Sequence, residues 1–219
     1  MSSNKLTAFF VIPILVLTSL ALAPATFAAT PAPGADRASI SETKMALRDL
    51  WVEHVFWIRN YVLANSTHDE AQRKVAEAEV LANAKALSES IAPFYGQAAS
   101  DSLLKLLAGH WTAVRDYDTA TLAKSKTGQD KAAANATSNA RDIAKFLSGA
   151  NPHLPEDTVF TLLAAHFGHH VAQITQITAR DFQDEAATWR AMRLHMFVIS
   201  DAIADALVKQ FPQRFQQQA

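Results

Sequence analysis

The chain has 219 residues and no cysteine, with 20 lysine and arginine side chains against 21 aspartate and glutamate side chains. This balance argues against a nucleic-acid-binding protein, which needs a basic face to neutralise phosphates, and it provides no polybasic patch for a membrane surface. Without cysteine the chain forms no disulfide and attaches no c-type haem, so an apolar core must stabilise it.

The N-terminal segment has the pattern of a secretory signal peptide. Lys5 supplies a positive charge, an apolar run over residues 7–22 is interrupted by Pro13, and small residues at 25–29 suit cleavage. An uncleaved membrane anchor is the alternative, because the run is close to the shortest length that spans a bilayer. The proline and the alanine-rich end favour cleavage. We therefore expect a signal peptide over residues 1–29, export to the periplasm or the medium, and no stable membrane insertion afterwards.

The remainder of the chain is typical of helices. Residues 30–40 are rich in proline, alanine and glycine and predict a flexible leader, whereas alanine, leucine, glutamine and charged residues dominate residues 41–215. No segment alternates as a strand does. The predicted fold is all-α, an up-and-down bundle of about six helices over residues 41–215, followed by a polar tail at residues 216–219. Turn residues predict boundaries at 65–67, 93–96, 126–128, 149–155 and 180–182, with N-caps at Thr67 and Ser100.

The bundle has an internal repeat. LLKLLAGHW (Leu103–Trp111) and FTLLAAHF (Phe160–Phe167) align when the chain is moved against itself by 56 residues, and three helical hairpins result. Six polar residues recur at alternating spacings of 29 and 27 residues, which places each about 18–22 Å from its turn and all six at one height. A stack of hairpins that does not close into a bundle is the alternative arrangement. The six residues are His54, Asn83, His110, Asn139, His166 and His195.

The histidines of this layer lie on apolar stripes. Leucine and aromatic residues precede His54 and His110 by three, four and seven positions, so both imidazoles should point into the core. Imidazole binds copper, zinc, iron and nickel, and helix bundles build metal sites from facing side chains at one level. The predicted ligands are His54, His110, His166 and His195, with Asn83, Asn139, Asp142, His169 and His170 as surrounding polar groups.

Copper is the first choice of ion, ahead of zinc and iron. A site made of neutral ligands leaves a dication poorly compensated in a dry core, and this favours copper as the monocation. Non-covalent haem, held by two of the imidazoles, is the second choice. The replacement of asparagine by His195 in the third hairpin favours a ligand role, because hydrogen bonding alone gives no evident reason for a fourth imidazole.

A structural layer is the competing interpretation. Buried histidine and asparagine side chains that bond to one another fix helix register in a uniform leucine core. The protein would then be an envelope interaction or stress-response bundle that works through its surface, with a protein partner that the sequence does not name. A redox enzyme at the histidine layer is less favoured, since the sequence offers no identifiable substrate pocket or acid–base pair. Aromatic residues considered for an interaction surface are Trp57, Phe94, Tyr95, Trp111 and Phe215, and Arg59 and Arg115 are interpreted as a solvated, salt-bridging face.

Four segments resemble a group of bacterial helical-bundle proteins of unassigned function. They are LWVEHVFWIR (Leu50–Arg59), PFYG (Pro93–Gly96), FLSGANP (Phe146–Pro152) and QFPQRF (Gln210–Phe215). The resemblance covers nearly all of the chain after residue 40. It implies a helical bundle, and no activity can be inferred from it because none is assigned to the group.

If residues 1–29 are a cleaved signal peptide, the protein recovered from its native host should begin near Ala29 or Thr30. N-terminal sequencing of the envelope fraction measures this directly. An intact Met1 on envelope-located protein would instead show an anchor.

Overall fold

A computed structural model of the chain describes residues 38–216. The predicted signal peptide (residues 1–29), most of the predicted leader and residues 217–219 of the predicted tail lie outside this range. The described part is all-α, as predicted, and no helix in it is both long and apolar enough to cross a membrane. Its helices are α1 (Ile40–Ser66), α2 (Glu70–Glu89), α3 (Ala92–Tyr95), α4 (Gln97–Leu122), α5 (Lys126–Ala150), α6 (Glu156–Ala179) and α7 (Phe182–Gln210), with a final 3-10 turn (Pro212–Arg214).

The six long helices form a closed ring. Each packs against its neighbours in the order α1, α2, α4, α5, α6 and α7, and α7 returns to contact α1. The helix α6 also contacts α1 and α4 across the ring. The arrangement is therefore a closed bundle, in which α1, α4 and α6 converge toward the centre.

Side-chain caps set most of the helix starts. The side chains of Ser39, Asp69, Ser125 and Asp181 accept hydrogen bonds from backbone amides in the first turns of α1, α2, α5 and α7. Two predicted caps were wrong. Asp69 caps α2 in place of Thr67, and Ser100 is buried within α4, which begins at Gln97.

The loops differ from the predicted turns at two places. Residues 126–128, predicted as a turn, form the first turn of α5, because the chain reverses at Lys124, whose φ is 54°. The predicted turn at 93–96 holds the short helix α3, which ends at Gly96 with a φ of 83°, a conformation that favours glycine. Near the N-terminus, Ala38 pairs with Phe215 in an isolated bridge, so the end of the predicted leader is part of the fold.

The histidine level lies between two apolar clusters. Along α1, Trp51 packs in one cluster and Ile58 in the other, with His54 between them. Along α4, Leu107 and Trp111 occupy the same two clusters on either side of His110. The aromatic residues considered for an interaction surface belong largely to this core: Trp111 is 3% exposed and Phe215 is 1% exposed, and Trp57, Phe94 and Tyr95 are half-buried.

A buried ionic network joins α1, α6 and α7. Arg59 donates to both carboxylate oxygens of Glu185, from Nε at 2.7 Å and from the guanidinium NH2 at 2.8 Å, and Gln173 donates to the same carboxylate at 2.9 Å. Glu185 is only 1% exposed. The guanidinium of Arg59 holds the pKa of Glu185 below its usual range. Arg59 forms a salt bridge, as its sequence context indicated, but its partner is a buried carboxylate; its side chain is 30% exposed, and that of Arg115, which pairs with Glu77 and Asp116, is 39% exposed.

Replacing Glu185 by glutamine should lower the free energy of unfolding by about 2–3 kcal/mol, because it removes a charged acceptor from a donor that stays partly buried. Urea unfolding at neutral pH measures this. The matched control is Asp201→Asn, since Arg48 binds Asp201 with the same two-bond geometry at the surface. Its cost should be at most about 1 kcal/mol. Equal losses in the two variants would contradict a special role for the buried network.

Candidate metal centre

Four histidines meet on the axis of the bundle. His54 comes from α1, His110 from α4, and both His166 and His170 from α6. We call these four residues the histidine cluster. One ring nitrogen of each lies within 4.8 Å of one ring nitrogen of every other member. All four side chains are buried, with exposures of 5% or less.

The ring positions are close to those of a tetrahedral site. The six distances between ring centroids within the cluster range from 4.4 to 6.2 Å. Four imidazoles bound at ~2.0–2.1 Å to one tetrahedral ion would have centroids about 5 Å apart. The Nε2 atoms of His166 and His170 are 3.1 Å apart, close to the ~3.3 Å edge expected of such a site. Because the ligand atoms lie up to 4.8 Å apart, the cluster must contract to close around an ion.

The cluster does not satisfy its own hydrogen-bonding groups. The contact between His166 and His170 is the one hydrogen bond between its rings. One buried nitrogen of each ring has no partner among the protein atoms: Nδ1 of His54, His166 and His170, and Nε2 of His110. A buried polar atom without a partner costs about 1–3 kcal/mol. Oδ1 of Asn83 and Oδ1 of Asn139 are also buried without a partner, so unpaired polar atoms occur throughout this layer and do not distinguish a ligand role from a structural one.

Burial keeps the four imidazoles neutral. Desolvation lowers the pKa of His54 to about 3, with a further contribution from His110, and lowers the pKa of His110 to about 4. Burial, followed by the neighbouring imidazoles, also moves the pKa values of His166 and His170 well below the ordinary 6.5. A neutral imidazole offers a lone pair to a metal, so protons do not compete for this site near neutral pH.

His195 is not in the cluster. Its Nε2 lies 2.9 Å from the carbonyl oxygen of Leu162, and because a carbonyl only accepts, this nitrogen carries the proton. The prediction that His195 supplies the fourth imidazole is corrected: His170 takes that place. A signal for His170 was present in the sequence, since His166 and His170 are four residues apart and face the same side of a helix, as in helical two-histidine metal motifs.

Asn83 and Asn139 have the same role as His195. Each donates from Nδ2 at 3.0 Å to a backbone carbonyl of the first helix of its own hairpin, Leu50 and Leu106 respectively. Each of the three carbonyls lies four residues before a histidine of the cluster. The 56-residue repeat of the whole hairpins stays a prediction, although these three hydrogen bonds follow that spacing.

The other predicted polar groups lie outside the cluster. Asp142 is exposed, and His169 is half-buried with its ring centroid 5.4 Å from that of His195. Burial and the nearby His195 lower the pKa of His169. His68 and His153 are exposed at turns. Within residues 38–216, the four-histidine cluster is therefore the one grouping of three or more metal-ligating side chains.

Comparison of the chain with protein-family models, curated proteins and solved structures finds no match. Membership of the group of bacterial helical-bundle proteins thus stays a prediction. The chemistry of the site must carry the functional argument alone.

The buried histidines should also make the metal-free protein sensitive to acid. Between about pH 4 and pH 6.5 the unfolded chain binds protons on these imidazoles and the folded chain does not, so the free energy of unfolding falls as the pH falls. His54→Gln removes one such proton and should reduce the slope by about 1.4 kcal/mol per pH unit near pH 5. Urea unfolding across this range measures the slope.

Asn83→Ala is the control for the acid experiment. It removes a polar group of the same layer that carries no titrating proton, so it should lower stability and leave the slope as it is. A slope that His54→Gln does not change would show that the imidazole of His54 is protonated in the folded state.

Proposed function

We propose that this protein is an exported transition-metal-binding protein that holds one ion through His54, His110, His166 and His170. The observation that carries the proposal is the convergence of four buried, neutral imidazoles whose ligand atoms lie within 4.8 Å of one another. Only one hydrogen bond joins the four rings, which favours a ligand role over a layer of paired side chains. The proposed export rests on the N-terminal sequence pattern.

Copper, as the monocation, suits this site best. The centroid distances fit a tetrahedron, whereas a square-planar site would show four short and two long separations. Tetrahedral coordination without a ligand-field preference is typical of ions with a filled d shell, such as Cu(I) and Zn(II). The four-histidine group contains no carboxylate, and Glu185 is already paired with Arg59. A single positive charge costs less to bury among neutral ligands than a double one, so zinc is second.

Haem fits the geometry less well than an ion. A porphyrin requires an open, flat slot between its two axial ligands. In the cluster every pair of rings is 6.2 Å apart or closer, so the space beside each pair is filled by the other two imidazoles. The haem that the sequence left as second choice therefore ranks below both metal ions.

An interaction protein with a structural polar layer is the competing function. Asn83, Asn139 and His195 do act structurally, through their bonds to backbone carbonyls. The same description does not extend to the four axial histidines, because their rings are joined by one hydrogen bond only.

The metal-free protein should bind one equivalent of Cu(I) from a chelator-buffered solution, and His110→Gln or His170→Gln should abolish this binding while the bundle stays helical. Each variant removes one of four ligands from a site that contains no substitute donor. Elemental analysis after gel filtration measures the stoichiometry, circular dichroism measures the helix content, and parallel loading with Zn(II) and with haem ranks the three candidates.

His195→Asn is the matched control for metal binding. It restores at this position the residue type found in the other two hairpins, and the amide can donate to Leu162 as the imidazole does. We expect it to keep one equivalent of metal. The proposal fails if the wild-type protein binds no copper and no zinc, or if His195→Asn loses the metal and His170→Gln keeps it.

A further inference from the structure

The bundle contains an apolar cavity on one side of the histidine cluster. Its volume is about 50 Å³, and its lining is almost wholly aliphatic. Protein interiors are normally close-packed, with few voids that exceed a water molecule. A cavity of this size in the middle of a six-helix core is therefore a feature to be explained.

The cavity lies directly beside the cluster. Its walls include the residues three and seven positions before His54, His110 and His166. Three residues along a helix correspond to a rise of ~4.5 Å, so the nearer wall is less than one turn from the imidazoles. The indole of Trp51 is part of that wall, and its ring centroid is 6.0 Å from that of His54 and 6.4 Å from that of His166. The residues at these positions are Leu47, Trp51, Leu103, Leu107, Val159 and Leu163, and further residues complete the lining.

The chemistry of the lining selects an apolar occupant. A buried water needs two to four polar partners, and apolar cavities stay dry and take up apolar molecules. Ser90 is the one hydroxyl-bearing residue of the lining, and its Oγ already donates to the carbonyl of Leu87 at 2.7 Å. The lining therefore presents water with almost nothing to bind.

A second, smaller cavity lies next to the first, toward one end of the bundle. It has a volume of about 10 Å³ and shares Ile91, Leu147, Leu154 and Ile203 with the larger cavity. Its remaining wall reaches Tyr95, whose hydroxyl donates to Gln210 at 2.6 Å and accepts from Asn151 at 2.9 Å. The two cavities are thus neighbours, and the second lies beside the hydrogen bonds of Tyr95.

We propose that the larger cavity is a dry binding site for one small apolar molecule, of the size of dioxygen or xenon, held beside the histidine cluster. The proposal rests on the cavity and its lining and does not require a metal in the cluster. If the cluster also holds an ion, the occupant of the cavity is a neighbour of that ion.

Xenon is the probe for this site, because it is apolar, chemically inert and small enough for the space. Metal-free full-length protein is titrated with xenon under pressure and followed by methyl and indole NMR. We expect saturable shifts at Leu163 and at the indole of Trp51. The methyl groups of Val114 and the indole of Trp111 lie in the apolar cluster on the other side of the histidines, and their signals should not move.

Ala202→Val tests the position of the site, since Ala202 is part of the lining and the larger side chain fills the space. We expect xenon shifts at Leu163 to fall at least tenfold in this variant. The matched control is Ala133→Val, the same change at a half-buried position in the other apolar cluster, which should bind xenon as the wild-type protein does.

Three results would each overturn the proposal. The first is the absence of saturable xenon shifts at the lining residues of the wild-type protein, and the second is their persistence in Ala202→Val. The third is the detection of water in the cavity through water-to-methyl Overhauser effects at Leu103 or Leu163. Because the protein is metal-free throughout, these outcomes are independent of whether the cluster binds copper, and either proposal can fail while the other stands.

Discussion

The four imidazoles of the histidine cluster are removed from water, and the packing of the core must offset the free-energy cost of this desolvation. Each ring is taken out of water with one nitrogen left unpaired, and the pKa values of His54 and His110 fall to about 3 and about 4 as a result. The apolar clusters on both sides of the histidine level must offset this cost. Burial keeps the imidazoles neutral, and the lone pair of a neutral imidazole is what an ion would bind.

The second helix of each hairpin holds the first in the position that this arrangement requires. Asn83, Asn139 and His195 each donate to a carbonyl one turn before a histidine of the cluster. A slip of either helix by one residue would break that hydrogen bond and bury its donor without a partner. The polar residues therefore form two sets: an outer set that fixes the register of the helices and an inner set that faces the axis of the bundle.

Much of the architecture follows from local sequence patterns. Apolar residues at helical spacing before His54 and His110 correctly predicted that these rings point inward, and turn residues correctly predicted six long helices. His195 and His170 differ in whether their side of the helix faces the bundle axis. The predicted layer gave only the height of each residue along its helix, so it could not distinguish between them. The Nε2–H of a histidine and the Nδ2–H of an asparagine donate in the same way, so the exchange at position 195 has a structural cause that the sequence argument overlooked.

The missed ionic network has a similar origin. Arg59 and Glu185 are 126 residues apart, and nothing beside either of them in sequence indicates the other. Asp118 is another example, because its carboxylate accepts from Asn65 at 2.6 Å and burial raises its pKa to about 6. Such pairs depend on how distant helices face one another, which local patterns leave open.

The cavity and the cluster are linked by the helices that build them both. His54, His110 and His166 lie on α1, α4 and α6 with ligand atoms up to 4.8 Å apart, and the same three helices line the cavity beside these rings. Contraction to the ~3.3 Å ligand spacing of a tetrahedral ion would draw the same three helices together. Because packed interiors transmit such shifts, the size of the cavity and the occupancy of the cluster depend on each other. The proposed metal site and the proposed apolar site thus depend on one packing arrangement of α1, α4 and α6.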